Sequence, residues 1–411
     1  MKIGIVTTWF ERGAAYVSRQ FMETLQSLGH EVYIYARGGE EFAKGISKWD
    51  LENVTWNKFL YSPVPTDIDR VKFENWLDAN EIEAVIFNEQ QYWQPVLWVK
   101  NKKIFTIAYI DYYTDVTVKL FDVYDQLWCN TKRHASAFEW HDGMQYLPWG
   151  TNVDLFKPQN TIIKKNEDKV VFFHSAGLNP YRKGSDFVIL AGIELLKQGV
   201  TNFKIVIHTQ TDLLKFFPEL KGSIKNLIET GSLEIVKGTV SAPGLYHLGD
   251  VYIYPSRLEG IGLTIAEAMS CGLPVIVTNE EPMNEFVDLN TCSVVNVTER
   301  KKRKDGYYWP MAFVDIVELS SSMIKYIRNP EFLQEAKINV RGYALNNLDF
   351  NKNKVNIQIA LDKLFERKIN IKVLSKVDEI DRMFTKYYFL MPKLSRKLFG
   401  FLITIKRKFF R

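Results

Sequence analysis

Short apolar runs alternate along this chain with longer amphipathic or polar stretches, and that alternation predicts an α/β fold. Lys2–Thr7 (KIGIVT) reads as a strand. Ser18–Leu28 reads as a helix carrying Phe21, Leu25 and Leu28 on one face, and Val32–Ala36 as the next strand. A helix at Asp69–Asn80 and strands at Ala84–Asn88, Ile104–Ile110 and Gln126–Asn130 continue the series. Pro148 and Gly150 in Leu147–Pro158, followed by the polar run Asn160–Lys169, break it and mark a linker. A second series then begins, with strand Val170–His174, helix Asp186–Gln198 and strand Phe203–His208. A mostly helical stretch at Thr211–Thr230 leads to strands Leu233–Lys237 and Val251–Tyr254, helix Thr264–Ser270 and strand Val275–Val277. Asp315–Arg328 and Pro330–Asn346 are helical. Two such series imply two parallel sheets, hence two domains.

Length agrees, because 411 residues exceed one ordinary hydrophobic core. Three cysteines (Cys129, Cys271, Cys292) without C-x-x-C spacing exclude a disulfide framework or a zinc knuckle, and fit a reduced compartment. Met1-Lys2 runs straight into a strand, so no signal peptide is expected. The net charge of +5 is unevenly held. The eight basic residues of Lys386–Arg411 face no acidic one, and without them the chain carries −3. That excludes a generally nucleic-acid-binding surface. On a helical wheel Leu394, Leu398, Phe401, Ile405 and Phe409 form an apolar seam opposite Lys393, Arg396, Lys397, Arg407, Lys408 and Arg411, the pattern of an interfacial helix on anionic lipid. Its apolar part is shorter than the roughly 18 residues of a membrane span. The basic run Arg300–Lys304 precedes Asp305-Gly306 and reads as a loop. Asp67-Ile68-Asp69 has the D-x-D form of a metal site, but it follows Pro63 and Pro65 and opens a helix, so N-capping explains it better.

Only Gly13 follows the first strand, in TTWFERGAAYVSRQF, so the G-x-G-x-x-G fingerprint of a dinucleotide-binding dehydrogenase is missing. Candidate chemistry concentrates instead in Asp250–Val287. There a strand, a glycine-containing turn, a helix and a strand make a βαβ unit whose helix N-terminus offers N–H groups to an anion. Glu259 in the turn and Glu267 in the helix flank that position, about 12 Å apart if all eight steps were helical, which is too far for one metal ion. Asp111 ends the apolar strand FTIAYI at the carboxyl edge of a parallel sheet, where ligands bind, or else caps the element that follows.

The run PSRLEGIGLTIAEAMSCGLPVIVT resembles the donor-binding motif of family 4 retaining glycosyltransferases, which have the GT-B fold. The resemblance implies that Glu267 bonds a nucleotide ribose and that Glu259 faces the hydroxyls of the transferred sugar. It further implies that backbone N–H groups of Gly260, Ile261, Gly262 and Leu263 approach the donor, and it gives Glu285 a further acidic position. Lys183-Gly184 match the family's second donor motif, which grips the diphosphate. Leu178 stands where the family has arginine, and Arg182 supplies a neighbouring charge. Gly13 falls where the chain nears the donor pyrophosphate or the acceptor, and Asp111 falls near a family histidine that contacts the donor sugar. The basic start Asn130–His134 of a helix faces the cleft in the family.

The expected molecule is therefore α/β of GT-B type, with two Rossmann-like domains facing across a cleft and a C-terminal basic amphipathic helical tail. Residues 1–158 form the acceptor domain, 159–345 the donor domain, 346–366 a helix crossing back, and 367–411 the tail. The expected function is retaining, metal-independent transfer of a hexose-type sugar from a nucleotide diphosphate sugar to a saccharide or lipid-linked acceptor, as in bacterial surface-polysaccharide synthesis. Glu259, Asp111 and Lys183 are the catalytic candidates. Donor contacts fall to Gly13, Arg182, Lys183, Glu259, Gly260–Leu263 and Glu267. No cofactor is implied beyond the nucleotide sugar as co-substrate. The partners are donor, acceptor and an anionic membrane surface met by the tail, which places the protein in the cytoplasm at the inner face of the membrane. A catalytically silent nucleotide-sugar-binding subunit that scaffolds a membrane complex is the alternative, kept open by Leu178 and Asp111.

Overall fold

The computed structural model describes residues 1–38, 42–58, 64–159 and 169–389, with side chains as far as Met383. It divides into two compact units. The first comprises Met1–Asn130, His134–Leu147 and the chain from Lys354 onward; the second comprises Thr131–Arg133 and Pro148–Asn353.

The first unit holds a seven-stranded parallel sheet, in the order β3-β2-β1-β4-β5-β6-β7. Its strands are β1 (Lys2–Thr7), β2 (Glu31–Ala36), β3 (Val54–Trp56), β4 (Ala84–Asn88), β5 (Phe105–Tyr109), β6 (Gln126–Cys129) and β7 (Met144–Tyr146). The central strands are buried along nearly their whole length, which is why they read as continuous apolar runs rather than as alternating ones. The first helix begins at Gly13, five residues before the expected start, and runs to Ser27. Ala15, Val17, Phe21 and Leu25 supply its buried face. Asp69 caps the helix Arg70–Ala79 by accepting the Lys72 N–H at 3.1 Å, so the D-x-D residue does serve a helix end.

The second unit holds a six-stranded parallel sheet, in the order β10-β9-β8-β11-β12-β13. Its strands are β8 (Val170–Gly177), β9 (Phe203–Thr209), β10 (Leu233–Lys237), β11 (Val251–Tyr254), β12 (Val275–Thr278) and β13 (Ser293–Val295). Helices Ser185–Lys197 and Ile316–Arg328 cover one face, packing Val188, Ile189, Leu319 and Met323 over Phe172, Ile205 and Ile253. Helices Leu263–Ser270 and Pro330–Asn347 cover the other, over Phe173, Tyr252 and Val277.

Both sheets reverse their strand order, between β1 and β4 in the first and between β8 and β11 in the second. In open parallel sheets the carboxyl ends at such a reversal splay the following loops apart and leave a crevice for ligands.

The basic run is not a plain loop. Arg300 and Lys301 end strand β14 (Val297–Lys301), which pairs antiparallel with β15 (Met311–Val314) in a hairpin outside the main sheet. Only Lys302–Lys304 lie beyond the strand. Alternation in VNVTERK was masked by its charge, because the solvated edge of a hairpin needs no apolar face.

The helix Lys354–Asp362 belongs to the first unit, where the Gln126 side chain donates to the Ala360 carbonyl at 2.7 Å. Arg367 fastens the segment after it. Its guanidinium donates to the Asp122 and Tyr124 carbonyls at 3.2 and 3.1 Å, and to the Asp122 carboxylate at 3.1 Å, and it also pairs with Asp142. The amphipathic seam from Leu394 lies outside the described residues. Among those described, no helix is long and apolar enough to cross a membrane.

Arg367→Met should destabilise the first unit by about 2–4 kcal/mol, because it leaves a nearly buried Asp122 carboxylate without its partner. A fall in the urea midpoint of that unit checks it. Each unit also buries a histidine. Burial and the Arg367 charge bring His141 down to about 4, and burial brings His174 down to about 4, from an ordinary 6.5. A folded-state value below the unfolded one means stability is held above 6.5 and lost as pH falls from there through about 4. Thermal scans between pH 7 and 4 should follow that limb, which His174→Asn should flatten in the second unit.

Candidate active site

The crevice of the second unit is built from two turns, one after β8 and one after β11. The first, Leu178–Gly184, enters the helix Ser185–Lys197; the second, Pro255–Gly262, enters the helix Leu263–Ser270. Each helix is N-capped by a left-handed glycine, Gly184 at φ +75° and Gly262 at φ +85°. Gly184 is required for a second reason, since a Cβ there would stand 2.1 Å from the Pro255 carbonyl oxygen. The two turns are that close.

Arg257 fastens them together. It is 2% exposed and forks onto the Asp186 carboxylate at 2.8 and 2.5 Å. The rings of Phe187, Tyr181 and Phe313 surround its guanidinium at 3.8, 4.0 and 4.8 Å. Its own backbone N–H donates to the Arg182 carbonyl at 2.8 Å, and its carbonyl accepts from Ala312 N–H of β15 at 2.8 Å. The hairpin is thereby joined to the site. His174, fully buried on β8, donates from Nδ1 to the Ile253 carbonyl and accepts from Ser185 Oγ, both at 2.8 Å. That fixes the tautomer and ties the first residue of the helix to β11.

Glu259 lies at the centre. Lys183 Nζ donates to its Oε1 at 2.8 Å, and Arg182 reaches its Oε2 at 2.9 Å. The Tyr254 and Ser256 hydroxyls donate to Oε1 at 2.8 and 2.6 Å. Burial would raise this carboxyl, but the charges of Arg182 and Lys183 and the bonds from Lys183 and Ser256 outweigh it and bring Glu259 down to about 2. Lys183 moves the other way. Burial and the Arg182 charge hold it down to about 8, against the pull of Glu259. The trio carries one net positive charge beside two helix N-termini, a field suited to an anion.

Glu267 is placed differently. It accepts from the Tyr246 hydroxyl at 2.5 Å, and burial raises its carboxyl. The two glutamates thus differ in charge environment as well as position: one is locked among cations, the other sits in an aromatic wall of Tyr246, Tyr252 and Tyr254. The turn Gly260–Gly262 is not helical, and the helix begins only at Leu263, so the eight steps between the glutamates are partly irregular. A Cβ on Gly260 would meet nothing within 4 Å. Leu178 is 73% exposed, so no cation replaces the arginine there and Arg182 lies inside, on Glu259. Glu285 accepts from the backbone N–H groups of Lys132 and Arg133 at 2.7 and 2.9 Å within this unit.

Gly13 and Asp111 lie in the first unit. Gly13 is the first residue of its helix and has open space about its Cα. Asp111 stands two residues beyond β5, half-buried. Burial, then the charge of Glu89, raise its carboxyl to about 7, while a bond from the Tyr112 backbone and the charges of Arg37 and Arg12 oppose them. Tyr254, Ser256, Arg257, Asp186 and His174 escaped the sequence reading. Tyr252 and Tyr254 on one face of β11 were the available signal, a period-2 pair of hydroxyls on a strand otherwise apolar.

Residues 168–302 match the family model of glycosyl transferases group 1. Among curated proteins, an O-antigen chain mannosyltransferase B of Escherichia coli is 49% identical over 45 residues, 11% of this chain and 12% of that protein. A GDP-mannose-dependent alpha-(1-6)-phosphatidylinositol monomannoside mannosyltransferase of Mycobacterium tuberculosis is 27% identical over 179 residues, 40% of this chain and 45% of that one. The first curated relatives are thus matched over less than half their own length. Among solved structures, Anabaena Alr3699/HepE in complex with UDP superposes with a TM-score of 0.70 at 15% identity, covering 88% of this chain and all of that one. A sucrose-phosphate synthase of Thermosynechococcus elongatus gives 0.65 at 14% identity, over 88% and 98%. These likenesses show the fold, which is GT-B.

The charge trio can be titrated directly. The ¹³Cε resonance of Lys183, assigned with Lys183→Arg, should titrate near pH 8 rather than near 10.5. Arg182→Gln should move that midpoint up, because a like charge is removed. Glu259→Gln should move it down, because the opposite charge is removed.

Proposed function

We propose that this chain, whose residues 168–302 match the family model of glycosyl transferases group 1, transfers a hexose-type sugar from a nucleotide diphosphate sugar, with retention and without a metal ion. One observation carries the reading: Lys183, Arg182 and Glu259 are assembled at the β8/β11 reversal beside two helix N-termini. A leaving diphosphate gains charge as its glycosidic bond breaks. Lys183, Arg182 and the N–H groups of Gly260–Leu263 are pre-aimed positive groups that stabilise this charge more than the ground state. Glu259 holds both cations in place and offers its remaining lone pairs to hydroxyls of the transferred sugar. Glu267 takes the ribose hydroxyls, with the Tyr246 hydroxyl orienting its carboxyl. The acceptor hydroxyl attacks from the face the diphosphate leaves, and its proton passes to the departing phosphate oxygen, so no side-chain nucleophile is needed.

The first unit would hold the acceptor, with Gly13 and Asp111 at its strand ends. Surface-polysaccharide or lipid-linked saccharide synthesis fits two of the relatives, an O-antigen chain mannosyltransferase and a phosphatidylinositol monomannoside mannosyltransferase. The basic amphipathic tail would bring the protein to the inner face of the cell membrane. Leu178, which leaves the trio with one net positive charge, supports the silent nucleotide-sugar-binding subunit as a second reading.

Turnover measured over UDP-, GDP- and ADP-sugars with a mixed saccharide panel, in EDTA, separates the two readings. Transfer with an axial-to-axial anomeric outcome by NMR supports the enzyme; binding without turnover or hydrolysis supports the subunit. Complete, reversible loss in EDTA overturns metal independence. Glu267→Ala should weaken binding of the free nucleoside diphosphate by about 1.5–3 kcal/mol, the value of a hydrogen bond to a charged acceptor. Glu259→Ala should depress transfer while leaving that binding near the wild-type value. Equal calorimetric losses would reverse the assignment. Deleting Lys386–Arg411 should abolish sedimentation with phosphatidylglycerol vesicles and leave nucleotide affinity intact.

A further inference from the structure

Strand β11 reads Val251-Tyr252-Ile253-Tyr254, so its two tyrosines share one face and its aliphatic residues the other. Phenylalanine would fill the tyrosine face equally well, as Phe173 does on the neighbouring strand β8, where it pairs with Tyr252. What tyrosine adds at position 254 is one hydroxyl. The ring itself is fully buried and stacks on Tyr252 with centroids 5.2 Å apart. A buried phenol needs one hydrogen-bond partner, and Glu259 alone would supply it. Tyr254 stands instead between two charged groups: its oxygen accepts from Lys183 Nζ, and its proton goes to Glu259 Oε1 at 2.8 Å. Both directions are forced, because an ammonium has no lone pair and an ionised carboxylate has no proton to give.

Lys183 also donates to Glu259 Oε1 directly, at 2.8 Å, which closes a ring of three hydrogen bonds. The ring commits two of the three ammonium N–H bonds. Among the described residues Lys183 Nζ has no further hydrogen-bond acceptor, so one N–H is left over, on a side chain 17% exposed. Two fixed bonds from one tetrahedral nitrogen set the direction of the third. Glu259 is divided in a similar way: Oε1 takes Lys183, Tyr254 and Ser256, whereas Oε2 takes Arg182 at 2.9 Å. Without the phenol oxygen the ammonium would keep a single bond, and the like charge of Arg182 would turn it aside about that bond.

We propose that Tyr254 is a positioning residue, whose hydroxyl locks the Lys183 ammonium so that its remaining N–H is held out to the diphosphate of the donor. The inference rests on the glycosyltransferase reading and deepens it by a residue that acts through Lys183 rather than on the ligand. A leaving diphosphate gains most from a donor that is already aimed, because no reorientation is then required as its charge develops. An ammonium free to turn would first have to be ordered by the ligand, at the expense of affinity.

A double-mutant cycle tests this, because Tyr254→Phe keeps the ring and its stacking and removes the hydroxyl alone. In the otherwise wild-type protein it should weaken inorganic pyrophosphate binding, measured by calorimetry, and lower kcat/KM for the sugar nucleotide, each about 3- to 10-fold, the range of one ordinary hydrogen bond. In a Lys183→Met background the same change should have no further effect, since the group through which Tyr254 acts is gone. A merely structural role would subtract the same factor in both backgrounds. Tyr254→Phe should also lower the ¹³Cε midpoint of Lys183, because an acceptor that favours the charged ammonium is lost. Tyr252→Phe, which removes a hydroxyl bonded to Ser175 Oγ at 2.5 Å, should leave that midpoint in place. Equal losses in the two backgrounds, no pyrophosphate binding by the wild type, an unmoved Lys183 midpoint, or an equal shift in Tyr252→Phe would each overturn the proposal. If pyrophosphate binding and the midpoint follow Tyr254 as stated while no sugar nucleotide is turned over, the transfer reading fails and the positioning role stands.

Discussion

The buried contact between the turns after β8 and β11 is the constraint on which the candidate active site depends. Arg257 and Asp186 form a bidentate pair inside a cage of three aromatic rings, with the guanidinium 2% exposed. Removing a charge of this kind from water costs several kcal/mol, and only the fork geometry and the ring faces offset it. Such a pair contributes less to net stability than to uniqueness, since neither partner has an alternative place to go. With the two turns fixed, Gly184 must be glycine, because the Pro255 carbonyl occupies the space a Cβ would need. Lys183, next in sequence, is then carried onto Glu259.

That arrangement changes what Glu259 can be. A carboxylate with four donors, two of them cationic, is not a proton acceptor poised near neutrality; it is a fixed negative charge at the bottom of the site. Its effect is to keep two cations close together despite their repulsion. Lys183 feels the balance, and its fall to about 8 records the burial and the Arg182 charge that Glu259 only partly cancels. An arriving diphosphate would supply the missing negative charge. The exposed Leu178 removes a third cation from this balance, which makes the two remaining ones matter more.

The two units repeat one physical device. In each, the strand order reverses at a point where two turns leave the sheet in different directions, and in each an arginine buried behind the site holds the turns in place. Arg257 does this in the second unit through Asp186, and Arg37 does it in the first through the carbonyls of Asn88 and Glu89. The charges in front differ. The second unit has a net positive crevice suited to phosphate, whereas in the first Arg12 is paired with Glu89 at 3.6 Å.

The sequence by itself determined ten of the thirteen strands of the two sheets to within a few residues, because a strand buried on both faces must be an apolar run, while the three-residue strands β3, β7 and β13 were too short to show one. Strands β1, β4, β10 and β11 fall on the expected residues, and Asp69 caps the helix it opens. It also marked Glu259, Glu267, Lys183 and Arg182, since these fall in local motifs whose spacing is read along the chain. Hairpin β14–β15 was hidden, because charged residues on a solvated edge leave no apolar period to detect. Arg257, Asp186, His174, Arg37 and Glu89 were hidden for another reason. Each acts on a partner brought to it from 11 to 79 residues away, so nothing beside it in sequence reports its role. Which arginine is buried, which glutamate's carboxyl is raised and which is lowered, and which backbone is held left-handed are consequences of desolvation and neighbouring charge. Those exist only once the two turns of each crevice have been brought together, and so the tertiary structure alone decided them.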